Sequence, residues 1–430
     1  MEETIRIQLR ELLQQEVVLA TGCTEPGAVA LCAAKACRLL GREPERLRLR
    51  LSKNVYKNAM GVGIPGTGMI GLPIAVALAV VHGDPDRGLE VLTLPPDCVE
   101  DGKRWLADNA QRIDIGVKDT TDKLYIECTA TAGDATATAV IARRHTHFVF
   151  LSLNGETLLD TKQSLFQEQD NDDNPQQDNR QQLELTARMV YDYATTTPVE
   201  ELQFIDETAR YNDAASQWGL RGAGLHTGAL LMQQAGGDAV HTVVARTVAA
   251  SDARMDGCPM PVYSNSGSGN QGITCTLPPH YFGQLKGCTP EQVTRALVLS
   301  HLMSIYIKRG IGRLSALCGI VNASIGVAAA LVYLNGGGYR EVCFAIKNMI
   351  NTLAGMVCDG AKPSCALKMA TGIYSAHTCA LLAVHGHVVE PTDGLSEACV
   401  DCSIRNLGRL GKEGMCNTDD CILDIMTHKK

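Results

Sequence analysis

The sequence predicts an α+β protein: an N-terminal α/β part with a small antiparallel sheet over residues 1–162, then a mostly α-helical part over 183–430. Three observations carry this. Between Ile113 and Leu153 the residues alternate and are rich in β-branched types, as half-buried strands are. From Leu183 onward, apolar residues recur at helical spacing through one segment after another. Between the two, Gln167 to Gln182 holds no apolar residue except Pro175, so 163–182 reads as a polar, flexible insert with nothing to bury.

Taken in order, residues 3–18 carry Ile5, Leu9, Leu12, Leu13 and Val17 at helical spacing. Thr21-Gly-Cys-Thr-Glu-Pro-Gly27 is a helix stop and a new start, with Thr24 or Glu25 as cap and Pro26 in the first turn. Cys23 therefore sits just before a helix N-terminus, where the dipole favours a thiolate. Leu47–Leu51 alternates like a strand. The glycine-rich Gly61–Gly68 loop, with Thr67 and Gly68 at its end, precedes an apolar helix from about 72 to 81. It matches neither the dinucleotide fingerprint nor the P-loop, and reads either as an anion loop or as a tight turn. Residues 97–111 read as a helix. Strands are expected at 124–130, 136–141 and 147–152, with Gly133-Asp134 as a hairpin turn. His145 and His147 share a strand face and read as a solvated strand end rather than a metal pair.

In the second part, helices are expected at about 183–195, 199–216, 225–235, 238–255, 290–308, 311–335, 340–357, 365–385, 396–410 and 418–427. One non-helical stretch interrupts them: Ser264, Asn265, Ser266, Gly267, Ser268, Gly269 and Asn270, running on to Gly272. Its hydroxyls, amides and accessible backbone N–H groups suit a carboxylate or phosphate, and Arg254 upstream is a partner for a carboxylate.

Composition narrows the function classes. The 430 residues are 45% hydrophobic and 20% charged, which fits a globular protein with more than one core. A net charge of -8 and no basic stripe argue against nucleic acid or an anionic membrane as partner. The longest apolar run, Gly319 to Leu334, contains Asn322 and Ser324 and is shorter than the roughly 18–20 residues of a span. A cytoplasmic protein acting on a small molecule is the expectation, with the apolar helices pointing to a homodimer. Seventeen cysteines, an odd number without a secretion signal, are expected to be reduced; Cys32, Cys37, Cys343 and Cys379 fall in helical context and read as core residues.

Cys318, Cys358 and Cys365 stand apart. The last two bracket an Asp-Gly…Pro turn that folds the chain back, so thiols from adjacent helix ends can face one object, with Cys318 as a third. Their spacing fits neither a zinc ribbon nor a ferredoxin run, and by itself leaves metal binding open.

Read together, Gly22-Cys-Thr-Glu-Pro26, Val62-Gly-Ile-Pro-Gly-Thr-Gly-Met-Ile-Gly-Leu-Pro73, Ser264-Asn-Ser-Gly-Ser-Gly-Asn-Gln-Gly-Ile273, Arg313-Leu-Ser-Ala-Leu-Cys318 and Met356-Val-Cys-Asp-Gly-Ala361 make the chain resemble the L-cysteine desulfidases. These are relatives of the iron–sulfur L-serine dehydratase α chain, and the likeness covers essentially the whole chain. The resemblance implies a [4Fe-4S] cluster on Cys318, Cys358 and Cys365 with one iron open, and no pyridoxal phosphate. It also implies a functional Cys23, and breakdown of L-cysteine to sulfide, ammonia and pyruvate. Within this likeness the Ser264–Asn270 loop, Thr67, Gly68 and Arg254 are the expected binding groups for the amino-acid substrate. L-serine dehydratase is the neighbouring reading, and a non-catalytic redox or metal sensor the reading from another class.

Overall fold

The computed structural model describes residues 1–161, 183–312 and 315–429. The polar stretch 163–182 lies outside the described residues, as do Arg313 and Leu314. Two compact units form. One holds Thr21–Leu183, Asp256–Pro259 and Ile422–Lys430; the other holds Met1–Ala20, Glu184–Met255 and Met260–Cys421. The N-terminal helix thus belongs with the later helices, and the short Asp256–Pro259 segment with the sheet.

In chain order the first elements are α1 (Glu3–Glu16), β1 (Leu19–Ala20), α2 (Thr24–Leu40), β2 (Arg46–Leu51), α3 (Lys53–Ala59), α4 (Leu72–His82) and α5 (Pro96–Asn109). The strands β3 (Ile113–Val117), β4 (Tyr125–Ala132), β5 (Ala135–Ala142), β6 (Phe148–Leu153) and β7 (Glu156–Asp160) follow. Then come α6 (Ala187–Thr196), α7 (Asp206–Gly219), α8 (Thr227–Gln234), α9 (Ala239–Met255), β8 (Val262–Tyr263) and α10 (Gly269–Lys286). The last elements are α11 (Pro290–Ile311), α12 (Gly319–Leu334), α13 (Tyr339–Leu353), α14 (Cys365–Val384), α15 (Val400–Arg409) and α16 (Thr418–Thr427).

The sheet has the order β3-β2-β4-β5-β6-β7 and is mixed rather than wholly antiparallel. β2 runs antiparallel to β4 but parallel to β3, a pairing that the helical crossover α3–α5 makes possible. The register sets Leu49 opposite Cys128, and Cys128 opposite Ala139. These three are fully buried, and α2 packs on β4 and β5. Cys32 on α2 donates from its thiol to the Ala139 carbonyl at 3.3 Å, and burial pushes that thiol up. The opposite face carries polar pairs such as Thr129 with Thr138, at 3.2 Å. Period-two patterning thus places one face on α2 and leaves the other polar.

In the helical unit, α12 is buried nearly all round and packs against α10, α11, α13 and α14. This accounts for the apolar run of the sequence: the helix is a core helix, apolar on every side. Among the described residues no helix is long and apolar enough to cross a membrane.

Candidate active site

The three singled-out cysteines are brought together by a short β-bridge and two helix starts. Leu317 pairs with Val357 in an isolated antiparallel bridge. The Cys318 N–H donates to the Met356 carbonyl at 2.9 Å, and the Cys358 N–H to the Ala316 carbonyl at 2.7 Å. Cys318 and Cys358 therefore flank one bridge. Cys318 is also the N-cap of α12, its side chain making no capping bond, and Cys365 is the first residue of α14. Gly360, at φ 91°, turns the chain between Cys358 and Cys365, and the Cys365 thiol donates to the Gly360 carbonyl at 3.7 Å.

The electrostatics reflect this crowding. Burial, then the neighbouring charges of Cys358 and Cys365, push the Cys318 thiol up to about 12. Cys365 is raised by burial first and by Cys358 in addition. Lys368, one turn into α14, donates to the Val357 carbonyl at 3.0 Å and pairs with Asp359. Burial would lower its pKa, but Asp359 and the Cys318 and Cys365 sulfurs outweigh that and hold it raised.

These residues fit an iron–sulfur cluster by the chemistry of their donors. Thiolates packed together in a buried place are costly unless metal replaces their protons. Two helix N-termini and one lysine favour the negative charge that thiolates bring. Among the described residues no three His, Cys, Asp or Glu side chains converge as a single-ion site demands. A cluster instead takes each thiolate on a different iron.

The start of α10 lies against the same place. Ser268 caps α10, accepting from the Gln271 N–H at 3.4 Å. A Cβ on Gly319, the residue after Cys318, would come within 2.1 Å of Gln271 Oε1. Gln271 Nε2 is buried and finds no hydrogen-bond partner among the described residues. Buried amide donors are normally paired, so this one is open to a ligand atom. A Cβ on Gly269 would meet Arg254 Nε at 2.3 Å, so the guanidinium lies over the bare glycine. Arg254 Nη1 donates to Asn270 Oδ1 at 3.3 Å, and both residues are buried.

The earlier part of the loop has another use. The Ser264 hydroxyl donates to the Val18 carbonyl at 2.8 Å, and the Ser266 N–H to Glu16 at 3.0 Å. Asn265 Nδ2 donates to His301 Nδ1 at 3.1 Å; the other ring nitrogen, carrying the proton, lies 2.9 Å from Thr276 Oγ1. Thr276 donates onward to the Gly272 carbonyl at 2.7 Å, and burial pushes His301 down to about 3, so it is neutral. Ser264, Asn265 and Ser266 hold the loop in place, with Gly267 at φ 79° as its turn. Of the rest, Gln271 reaches Gly319 at the α12 start, while Asn270 is paired with Arg254.

In the sheet unit, Cys23 sits at the N-terminus of α2 as expected, but it is itself the N-cap, and Thr24 and Glu25, the expected caps, are the first two helical residues. Its thiol donates to Glu25 Oε2 at 2.9 Å; Thr24 Oγ1 donates to the same oxygen at 3.1 Å, and Asn58 Nδ2 to the other oxygen at 3.0 Å. Burial would raise Glu25, but the His145 charge and the bonds from Cys23 and Asn58 hold it below the usual carboxylate value. A cavity of about 10 Å³, the room of one water, is lined by Gly22, Cys23, Pro26, Ile64, Pro65 and neighbours. Thr67 is spent on its own turn: its hydroxyl donates to the Ile64 carbonyl at 2.7 Å and accepts from the Met69 N–H at 3.0 Å. With Gly68 at φ 64°, the loop is a tight turn whose Pro65 ring covers Gly22 beside Cys23. Glu25, Lys368 and Asp359 are residues that the sequence did not place in a site, and Gln271 was covered only as part of the Ser264–Gly272 loop. The Glu25 signal was available, as the acidic first-turn residue two places from Cys23.

The fold and these thiols define a class. Residues 121–424 match the family described as serine dehydratase alpha chain, and the chain belongs to that family. Similar relatives are UPF0597 proteins. Those of Bacteroides fragilis and Bacteroides thetaiotaomicron are each 48% identical over 437 residues, covering 100% of this chain and 100% and 99% of their own. That of Porphyromonas gingivalis is 44% identical over 438 residues and covers both chains fully.

Proposed function

We propose that the protein is a lyase that eliminates the β-substituent of a small L-amino acid, with L-cysteine as substrate and a [4Fe-4S] cluster as cofactor. What supports the reading is one observation: Cys318, Cys358 and Cys365 are gathered by one bridge and two helix starts, beside a lysine and a buried amide that has no partner among the described residues. Cys318, Cys358 and Cys365 would hold the cluster. When bound, it supplies an iron with an open position, a Lewis acid for the substrate's leaving group.

The chain's own residues divide the rest. Arg254 and the first turn of α10 offer a cation and a helix N-terminus for the substrate carboxylate. Gln271 Nε2 offers one more donor. Cys23, having lost its own proton to solvent, takes the α-proton, and Glu25 positions its sulfur through the hydrogen bond between them. Loss of the α-proton and of sulfide leaves aminoacrylate, which tautomerises and hydrolyses in water to pyruvate and ammonia.

A second reading, L-serine dehydratase, is favoured by the name of the matching family. It differs in the leaving group, hydroxide in place of sulfide. Anaerobic turnover of the iron- and sulfide-reconstituted protein, with L-cysteine and L-serine in competition, decides between them. Sulfide release as the faster reaction supports the first reading. Pyruvate from L-serine as the faster product overturns it in favour of the second.

A further inference from the structure

We propose that Cys399 and Cys402, at the start of α15, form a thiol–disulfide exchange site that takes small-molecule disulfides. Cys399 is the N-cap of α15 and is exposed, while Cys402 stands in the third helical position of the same turn. Cys399 stands just before the helix in extended backbone, and a bond to Cys402 forms once their Cβ atoms come to about 3.5–4.5 Å. Cys399 makes no side-chain capping bond, so its sulfur stands open at the N-terminus of α15, three residues before the Cys402 thiol. The Cys402 backbone N–H is the largest influence; it outweighs burial and holds Cys399 below the ordinary thiol value. Arg405 Nη2 lies 3.0 Å from the Cys402 sulfur, close to any charge that forms there.

The turn between the two cysteines is anchored. Asp401 accepts from the Ala187 N–H at 2.8 Å and from the Tyr306 hydroxyl at 2.7 Å, tying α15 to α6 and α11. Cys343 and Tyr339 on α13, and Glu397 just before α15, are further titratable groups whose charges act on this turn. None of these residues has a part in the proposed elimination.

The exchange balances as follows. The Cys399 thiolate attacks one sulfur of a small disulfide, forming a mixed disulfide and expelling one small thiolate, which is protonated. The Cys402 thiol, losing its proton to solvent, then attacks the Cys399 sulfur and expels the second small thiolate. Two electrons pass from the cysteine pair to the small disulfide, giving one protein disulfide and two small thiols.

The test uses the full-length chain, purified anaerobically and exposed to glutathione disulfide. It is then quenched with acid, alkylated and read by peptide mass. The expected result is a Cys399–Cys402 disulfide that forms and reverses with the glutathione ratio. In Cys402→Ser, glutathione is trapped on Cys399; in Cys399→Ser, Cys402 is modified about tenfold more slowly or less. The proposal is overturned if both thiols stay reduced at a disulfide level that already modifies the exposed Cys416. Equal rates at Cys402 with and without Cys399 would also overturn it. Neither readout depends on elimination activity, so the two proposals fail separately.

Discussion

At the start of α12, Cys318 lies beside two other thiols and within the field of a lysine; at the start of α2, Cys23 lies beside a carboxylate. Both cysteines are N-caps, so the helix dipole is common to the two. Their neighbours decide the chemistry. Thiols that crowd one another resist losing their protons until something of higher charge takes the protons' place. A thiol fixed by a hydrogen bond to a carboxylate is held in one position, which suits proton transfer to a substrate rather than ligation.

The largest effect that could break this contrast is at the crowded site. Serine in place of Cys318, Cys358 or Cys365 should abolish iron retention and turnover together, as measured by iron content and product after anaerobic reconstitution. Cys23→Ser should instead keep the iron and lose turnover by about 10²–10⁴-fold, the usual worth of a positioned acid–base group. Full activity in that variant would remove Cys23 from the chemistry. Lys368→Met should weaken iron retention by about 10- to 100-fold, the range for a residue supporting metal ligands, with the fold intact by circular dichroism.

The smallest effect is at Glu25. Its folded pKa lies below its ordinary value of 4.5, so its contribution to stability is present above that value and is lost as pH falls through the folded pKa. Glu25→Gln should therefore cost on the order of 1 kcal/mol at neutral pH and less at pH about 3, as read from urea unfolding at the two pH values.

Much of this arrangement is legible in the sequence where the signal is local. The Cys23 turn, the helix starting at Thr24 and the alternation of Tyr125–Ala132 need only neighbouring residues. Cys32 and Cys379 read as core and are buried. What depends on partners far along the chain is not legible. β2 meets β3 in parallel across a long crossover that strand alternation cannot reveal. The helix Gly269–Lys286 was hidden by its Gly-rich start and by Pro278 and Pro279, both inside it; its near-complete burial from Gly269 to Pro279 overrides those breakers. The Ser264–Asn265 groups look like ligand donors in sequence. They are taken up by Val18 and His301, residues that no spacing rule connects to them. Lys368 and Asp359 pair only because the Gly360 turn brings the start of α14 back.

The central claim is that Cys318, Cys358 and Cys365 hold a cluster with one iron open to substrate. The most direct test is Mössbauer spectroscopy of the iron-57-reconstituted protein, before and after L-cysteine is added under anaerobic conditions. The account predicts four irons per chain, one of which alone changes its signal when substrate binds. Four equivalent irons that do not respond to L-cysteine, or no iron retained by the native trio, would contradict it.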